Sequence, residues 1–232
     1  MMSALSFLTI FGRGTPMRPT AYRWFPVVGL AIGCALAAVW WGGGELWHPF
    51  LAAVLTVAAD VVLTGALHYD GLADSADGLL PHLEPHRRLD IMRSPEVGAF
   101  AVVTIGLVFL ARVGAIASTP IEWWMFPVVA ATSRTIVAAT PAIVPPARPD
   151  SIGATFAAGS TERLLLWLGP LTGIATMLGA GRGVLVVVGV VVGSGLVVVG
   201  ARRRLGGWTG DVLGAAIVVG ETLGFLAAAA QP

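Results

Sequence analysis

Apolar residues run along this chain in blocks of roughly twenty, separated by short polar loops, and that length is what an α-helix needs to cross a bilayer. About seven such blocks follow one another, approximately Trp24 to Trp41, Pro49 to Leu67, Val97 to Ala117, Trp124 to Val144, Leu164 to Ala180, Val184 to Gly200 and Val212 to Ala230. The fifth is short and interrupted by Gly169-Pro170. The pattern predicts an all-α fold: a polytopic integral membrane helical bundle of about seven transmembrane helices, forming one membrane-embedded domain over residues 1–232. The opening MMSALSFLTIFGRG has no basic region before its short apolar run and no A-x-A site, so it reads as an interfacial segment and not as a removable signal.

Composition agrees with the membrane class. Of 232 residues, 56% are hydrophobic and only 12% charged, with a mean hydropathy of +0.83. Thirty glycines fit close helix packing. The single Cys34 lies inside an apolar block, which leaves no disulfide framework or thiolate cluster to consider.

Charge then sets an orientation. All 14 basic residues are Arg. With a cytoplasmic N-terminus, Arg13, Arg18, Arg23, Arg87, Arg88, Arg93, Arg148, Arg163, Arg202, Arg203 and Arg204 fall inside, and only Arg182 falls outside. The loops 68–96, 145–163 and 201–211 then share the cytoplasmic face of the cell membrane, and the C-terminus lies opposite.

The densest charge is in HYDGLADSADG, His68 to Gly78. On a helix Asp70, Asp74 and Asp77 stand at i, i+4 and i+7, one face within about 11 Å of axial rise. Three bare carboxylates so close repel one another, and their hard oxygens suit a divalent cation such as magnesium, which leaves positions for water and substrate phosphate. The plainer alternative is a solvated amphipathic turn. A second segment, GGWTGDVLGA from Gly206 to Ala215, puts Thr209 and Asp211 at the start of the last block, where they could serve a phosphate or a cation or simply cap a helix. Glu221 lies about 15 Å deeper on that helix.

Charges within the apolar blocks are Asp60, Arg112 and Arg134. Such residues face the protein interior in pairs. Asp60, Thr64 and His68 at i, i+4 and i+8 would form a polar track on the second block. Two readings stay open: an internal ion pair of Asp60 with Arg112 or Arg134, or a phosphate held by Arg134 beside Ser133. His68 could be a general base, a hydrogen-bond donor or an interfacial residue. His48, His82 and His86 read as loop residues.

The run ALHYDGLADSADGLL, followed by RRLDIMRSPEVGAF and by GGWTGDVLGA with Glu221, resembles the cobalamin synthase family, the adenosylcobinamide-GDP ribazoletransferases. The likeness extends to RWFPVVGLAIG at Arg23 to Gly33 and so covers nearly the whole chain. Two places depart from the family pattern: Ser94 follows the Arg of the second motif where Asp is common, and FLTIFGRGTP lacks an Arg-Pro pair.

The resemblance implies a membrane enzyme that joins adenosylcobinamide-GDP to α-ribazole or its 5′-phosphate, with a divalent cation, usually magnesium. GMP is released and adenosylcobalamin or its phosphate is formed. It implies His68, Asp70, Asp74 and Asp77 as catalytic residues, with Asp70, Asp74, Asp77 and Asp211 as metal ligands. Arg88, Arg93, Arg134, Asp211 and Glu221 would bind substrate. No nucleic-acid partner is expected, and the number of subunits stays open. Two other classes are weighed. A CDP-alcohol-type head-group phosphotransferase places Ala-Arg soon after the DG, whereas here Ala73 precedes Asp74. A transporter would put its ionisable residues near the bilayer midplane, whereas this acidic cluster falls at the end of an apolar block.

Overall fold

The computed structural model describes residues 1–12, 17–118, 121–149, 154 and 157–230. Arg13, in the opening motif, lies outside the described residues. Nine α-helices occur among the described residues: α1 Met2–Leu8, α2 Phe25–Leu46, α3 Pro49–Leu63, α4 Leu67–Leu79, α5 Pro85–Ile91, α6 Ala99–Ser118, α7 Met125–Ile143, α8 Leu168–Leu205 and α9 Gly210–Ala229. No strand occurs among these residues, only an isolated bridge between Pro146 and Trp208. Five helical segments are long and apolar enough to cross a membrane, or six with α3 and α4 taken as one bent span. The chain is therefore a multi-pass helical membrane protein.

The fifth and sixth predicted blocks both fall in the segment that forms α8. At Ala180 the backbone leaves helical geometry (φ 48°, ψ −132°). A straight helix separates residues eight apart by about 12 Å. Yet a Cβ on Gly183 would collide with the Ala175 carbonyl, so the chain turns sharply there. The break predicted between the two blocks is thus present as a sharp turn at Ala180 between two helical arms of α8.

Close approach is built from glycines where helices cross. On α2, a Cβ at Gly33 would run into the backbone of Pro127 on α7. On α8, one at Gly193 would sit 2.8 Å from the Gly220 Cα of α9. α7 and α9 are the most buried of the long helices, whereas α6 and α8 expose rows of Val and Leu, the surfaces that lipid covers.

The α3–α4 junction corrects the expected polar track. Gly65 and Ala66 both take positive φ (61° each), and the two helices meet at 91°. Asp60 and Thr64 therefore end one helix region while His68 begins another, on a different axis. Asp60 instead faces Arg112 of α6, Nη1 to Oδ2 at 2.8 Å. Arg112 also donates Nη2 to the Val218 carbonyl (2.7 Å) and Nε to Thr222 Oγ1 (3.1 Å), and lies 3.2 Å from Glu221 Oε2. The other Glu221 oxygen pairs with Arg134 of α7 and accepts from Ser133 Oγ (3.1 Å). Two acids and two guanidiniums, each at most 4% exposed, thus tie α3, α6, α7 and α9 at balanced charge.

Two further charged side chains set the ends of α4 and α6. Asp77 Oδ2 accepts from Gly98 N (2.6 Å) and Oδ1 from Ala101 N (2.9 Å), which satisfies unpaired amides at the start of α6. Arg88 Nη1 donates to the carbonyls of Gly78 (2.9 Å) and Leu79 (2.8 Å), the free acceptors at the end of α4.

Two stability outcomes follow from these contacts. Arg112→Leu leaves the buried Asp60 carboxylate without its guanidinium, while Glu221 keeps Arg134, and loss of one partner of a buried pair costs about 3–5 kcal/mol; thermal unfolding in detergent should show a large drop, partly recovered by adding Asp60→Leu. Asp77→Ala should cost about 1–2 kcal/mol through the lost cap. Asp70→Asn should cost nothing measurable in the same assay, since it removes a like charge beside Asp74.

Candidate active site

The aspartate motif forms α4, so Asp70, Asp74 and Asp77 do lie along one helix face. Their surroundings differ. Asp70 is exposed, Asp74 half-buried and Asp77 buried. Among the described residues, no side-chain hydrogen bond or ion pair engages Asp70 or Asp74, while both Asp77 oxygens already accept backbone amides.

The α9 helix meets this face through Gly71. A Cβ there would come within 2.7 Å of the Asp211 carbonyl oxygen, so only glycine allows the two backbones to touch. Asp211 thereby joins the cluster: its charge, with those of Asp70 and Asp77, acts on Asp74. Asp211 starts α9 behind Thr209, whose Oγ1 accepts from Val212 N (3.2 Å) and lies 3.3 Å from Asp211 Oδ2. The cap role falls to Thr209, which leaves the Asp211 carboxylate free of it.

A cavity of about 440 Å³ opens beside this contact. His68, Asp70, Thr209 and Asp211 line it, together with two residues that sequence reasoning did not single out, Arg148 and Trp208. Two backbone bonds hold Arg148 there: Ala147 N to the Trp208 carbonyl (2.8 Å) and Trp208 N to the Pro145 carbonyl (3.1 Å) zip its loop to the segment before α9. A Cβ on Gly207 would strike the Pro145 carbonyl, so that glycine permits the zipper. The Arg148 Nη2 donates to the Leu89 carbonyl. Burial and then the Arg93 charge press its guanidinium below the usual value, with Asp211 and Asp90 opposing them. Among the described residues Arg148 is the one arginine lining the cavity. In the sequence it looked like one more topological charge, although its setting in Pro145-Pro146-Ala147-Arg148-Pro149 marks a stiff loop.

Three expected substrate contacts go elsewhere. Arg88 is buried against the end of α4, and Arg134 and Glu221 pair inside the bundle, so none of the three lines the cavity. Arg93 is exposed and acts on the site through its charge on Arg148. Two lining residues carry buried polar atoms with no hydrogen-bond partner among the described residues, His68 Nε2 and Trp208 Nε1.

No three His, Cys, Asp or Glu side chains among the described residues form a ready-made metal centre. The donor chemistry nevertheless suits a hard cation: Asp70 and Asp211 line the cavity, and Asp74 lies close enough to feel both charges. Asp77 fits that set less well, because its oxygens are committed to α6.

Comparison with known proteins agrees with the motif reading. Residues 1–229 match the family described as cobalamin-5-phosphate synthase. An adenosylcobinamide-GDP ribazoletransferase of Bradyrhizobium diazoefficiens is 37% identical across 98% of this chain and 92% of its own length. Proteins of the same name from Roseiflexus sp. and Stutzerimonas stutzeri are each 34% identical across 95% of this chain, covering 85% and 94% of their own lengths. No solved structure matches. With the family matched over residues 1–229 and relatives similar along nearly their whole lengths, this chain belongs to the cobalamin-5-phosphate synthase family.

Proposed function

We propose that the protein transfers the adenosylcobinamide-phosphate moiety of adenosylcobinamide-GDP to α-ribazole or its 5′-phosphate and releases GMP. The observation that carries this reading is the Gly71–Asp211 contact, which brings carboxylates of two motifs, Asp70 and Asp211, to one cavity beside Arg148. A head-group phosphotransferase or a transporter has no comparable support, since the relatives carry the transferase name.

In the proposed reaction a ribose hydroxyl oxygen of the acceptor attacks the phosphorus nearer the corrinoid. His68, which lines the cavity, would take its proton. The bond from that phosphorus to the bridging oxygen breaks, and GMP leaves with the electron pair. Asp70, Asp74 and Asp211 would hold magnesium, which when bound neutralises charge developing on the diphosphate. Arg148 contributes a second positive group for phosphate oxygens, held in place by the Leu89 carbonyl and the loop zipper. Asp77 keeps α6 seated on α4, and Arg93 adds positive potential near Arg148.

We place the protein in the cell membrane with the cavity facing the cytoplasm, following the arginine asymmetry. A cysteine introduced at Arg87 should resist a membrane-impermeant thiol reagent in intact cells, while one at Arg182 should react. The reverse pattern would overturn the orientation.

The reaction itself is tested with purified protein in detergent. GMP should appear from adenosylcobinamide-GDP only with acceptor and magnesium present, and CDP-diacylglycerol should not be consumed. Asp70→Asn, Asp74→Asn and Asp211→Asn should each lower turnover by about 100-fold or more. The parent should gain thermal stability when magnesium is added, and these variants much less. Full turnover by Asp74→Asn at low magnesium would remove that carboxylate from the site.

A further inference from the structure

The cavity has a second character besides its acidic and basic side. Phe7 of α1, Tyr22 before α2 and Phe25 of α2 form one aromatic wall, with ring centroids 6.0 Å apart for Phe7–Phe25 and 5.0 Å for Tyr22–Phe25. Val137 and Ile217 add aliphatic surface, and Trp208, another lining residue, has a buried indole N–H with no partner among the described residues. Aromatic faces and one free donor beside a polar rim are suited to a flat heteroaromatic ring carrying a sugar.

Size separates the two substrates of the proposed reaction. Pockets of about 300–1,000 Å³ bury drug-sized molecules, and this one measures about 440 Å³. A benzimidazole riboside is of that class. The donor, with its corrin macrocycle, adenosyl group and nucleoside diphosphate, is several times larger and cannot be enclosed.

We infer that this cavity is the acceptor site: the aromatic base of the nucleoside lies against the Phe7–Tyr22–Phe25 wall with Trp208 donating to it, while the corrinoid of the donor stays outside and presents only its diphosphate at Asp70, Asp211 and Arg148. The inference rests on the proposed reaction for the identity of the nucleoside. The geometry alone points to a flat aromatic ring held beside polar side chains. On this inference the ribose hydroxyl would meet His68, Asp70 and Asp211, which line the same cavity.

Two variants of the full chain test it. Val137→Phe fills the cavity, and Trp208→Phe keeps an aromatic ring but removes the N–H. Equilibrium dialysis of α-ribazole against parent protein in nanodiscs, with no donor present, should show binding. Val137→Phe should abolish that binding, and Trp208→Phe should weaken it about tenfold, the worth of one hydrogen bond. In steady-state GMP release, Trp208→Phe should raise KM for α-ribazole and leave KM for adenosylcobinamide-GDP within twofold. Arg148→Gln should do the opposite, and Arg148→Lys should recover part of the loss. A parent that turns over while Trp208→Phe moves the donor KM, or while Val137→Phe still binds α-ribazole, would overturn the acceptor site. A parent that binds α-ribazole yet never releases GMP would overturn the proposed reaction and leave the acceptor site standing.

Discussion

Everything else in this bundle depends on the four buried charges of Asp60, Arg112, Glu221 and Arg134. A single guanidinium in hydrocarbon is expensive, and two would be prohibitive unless answered within the protein. Here each Arg meets a carboxylate, and Arg112 spends its remaining donors on the Val218 carbonyl and Thr222. Such a network does not necessarily add stability over an apolar core of the same shape. It does forbid other arrangements, because any slip of α3, α6, α7 or α9 would strand a buried charge.

That constraint reaches the active site through α9. The residues that Arg112 grips, Val218 and Thr222, lie two to three turns below Asp211 on one continuous helix, so fixing them fixes the height of Asp211 against α4. At the other end of α4, Arg88 binds the last carbonyls, and Asp77 seats α6. The acidic motif is therefore clamped on three sides by charged groups, and its solvent-facing carboxylates remain available for chemistry. Charges with a structural task and charges with a chemical one sit within a few residues of each other.

This mixture explains what could be read from the sequence. Apolar block lengths identified the membrane class and the break near Ala180, and the spacing of Asp70, Asp74 and Asp77 gave their common helix face. The Asp60–Arg112 pair was among the alternatives that intramembrane charge alone allows. What spacing cannot carry is direction in three dimensions. Arg88, Arg134 and Glu221 carry the charge expected of substrate contacts, yet protein partners claim them, the end of α4 for Arg88 and, far along the chain, Glu221 for Arg134. The polar track from Asp60 to His68 failed because Ala66, a residue with no sequence signature for positive φ, adopts it beside Gly65 and turns the helix. Arg148 and Trp208 were missed because their place depends on a bridge between two loops some sixty residues apart, which no local pattern records.

The charge balance of the cavity gives the proposed mechanism its order. Asp70 and Asp211 line it with Asp74 close by, against Arg148 in the lining and Arg93 near it, so a diphosphate approaching without a cation would meet carboxylate repulsion that the arginines only partly offset. A neutral nucleoside meets no such barrier, and its aromatic wall is held by the mutual packing of Phe7, Tyr22 and Phe25. The acceptor side of the cavity is thus preorganised by packing, whereas the donor side needs countercharge before it can accept phosphate. On the proposed reading, metal dependence therefore belongs to donor binding as much as to the chemical step. It arises because the same carboxylates that repel a bare diphosphate become its anchor once they share a divalent cation with it.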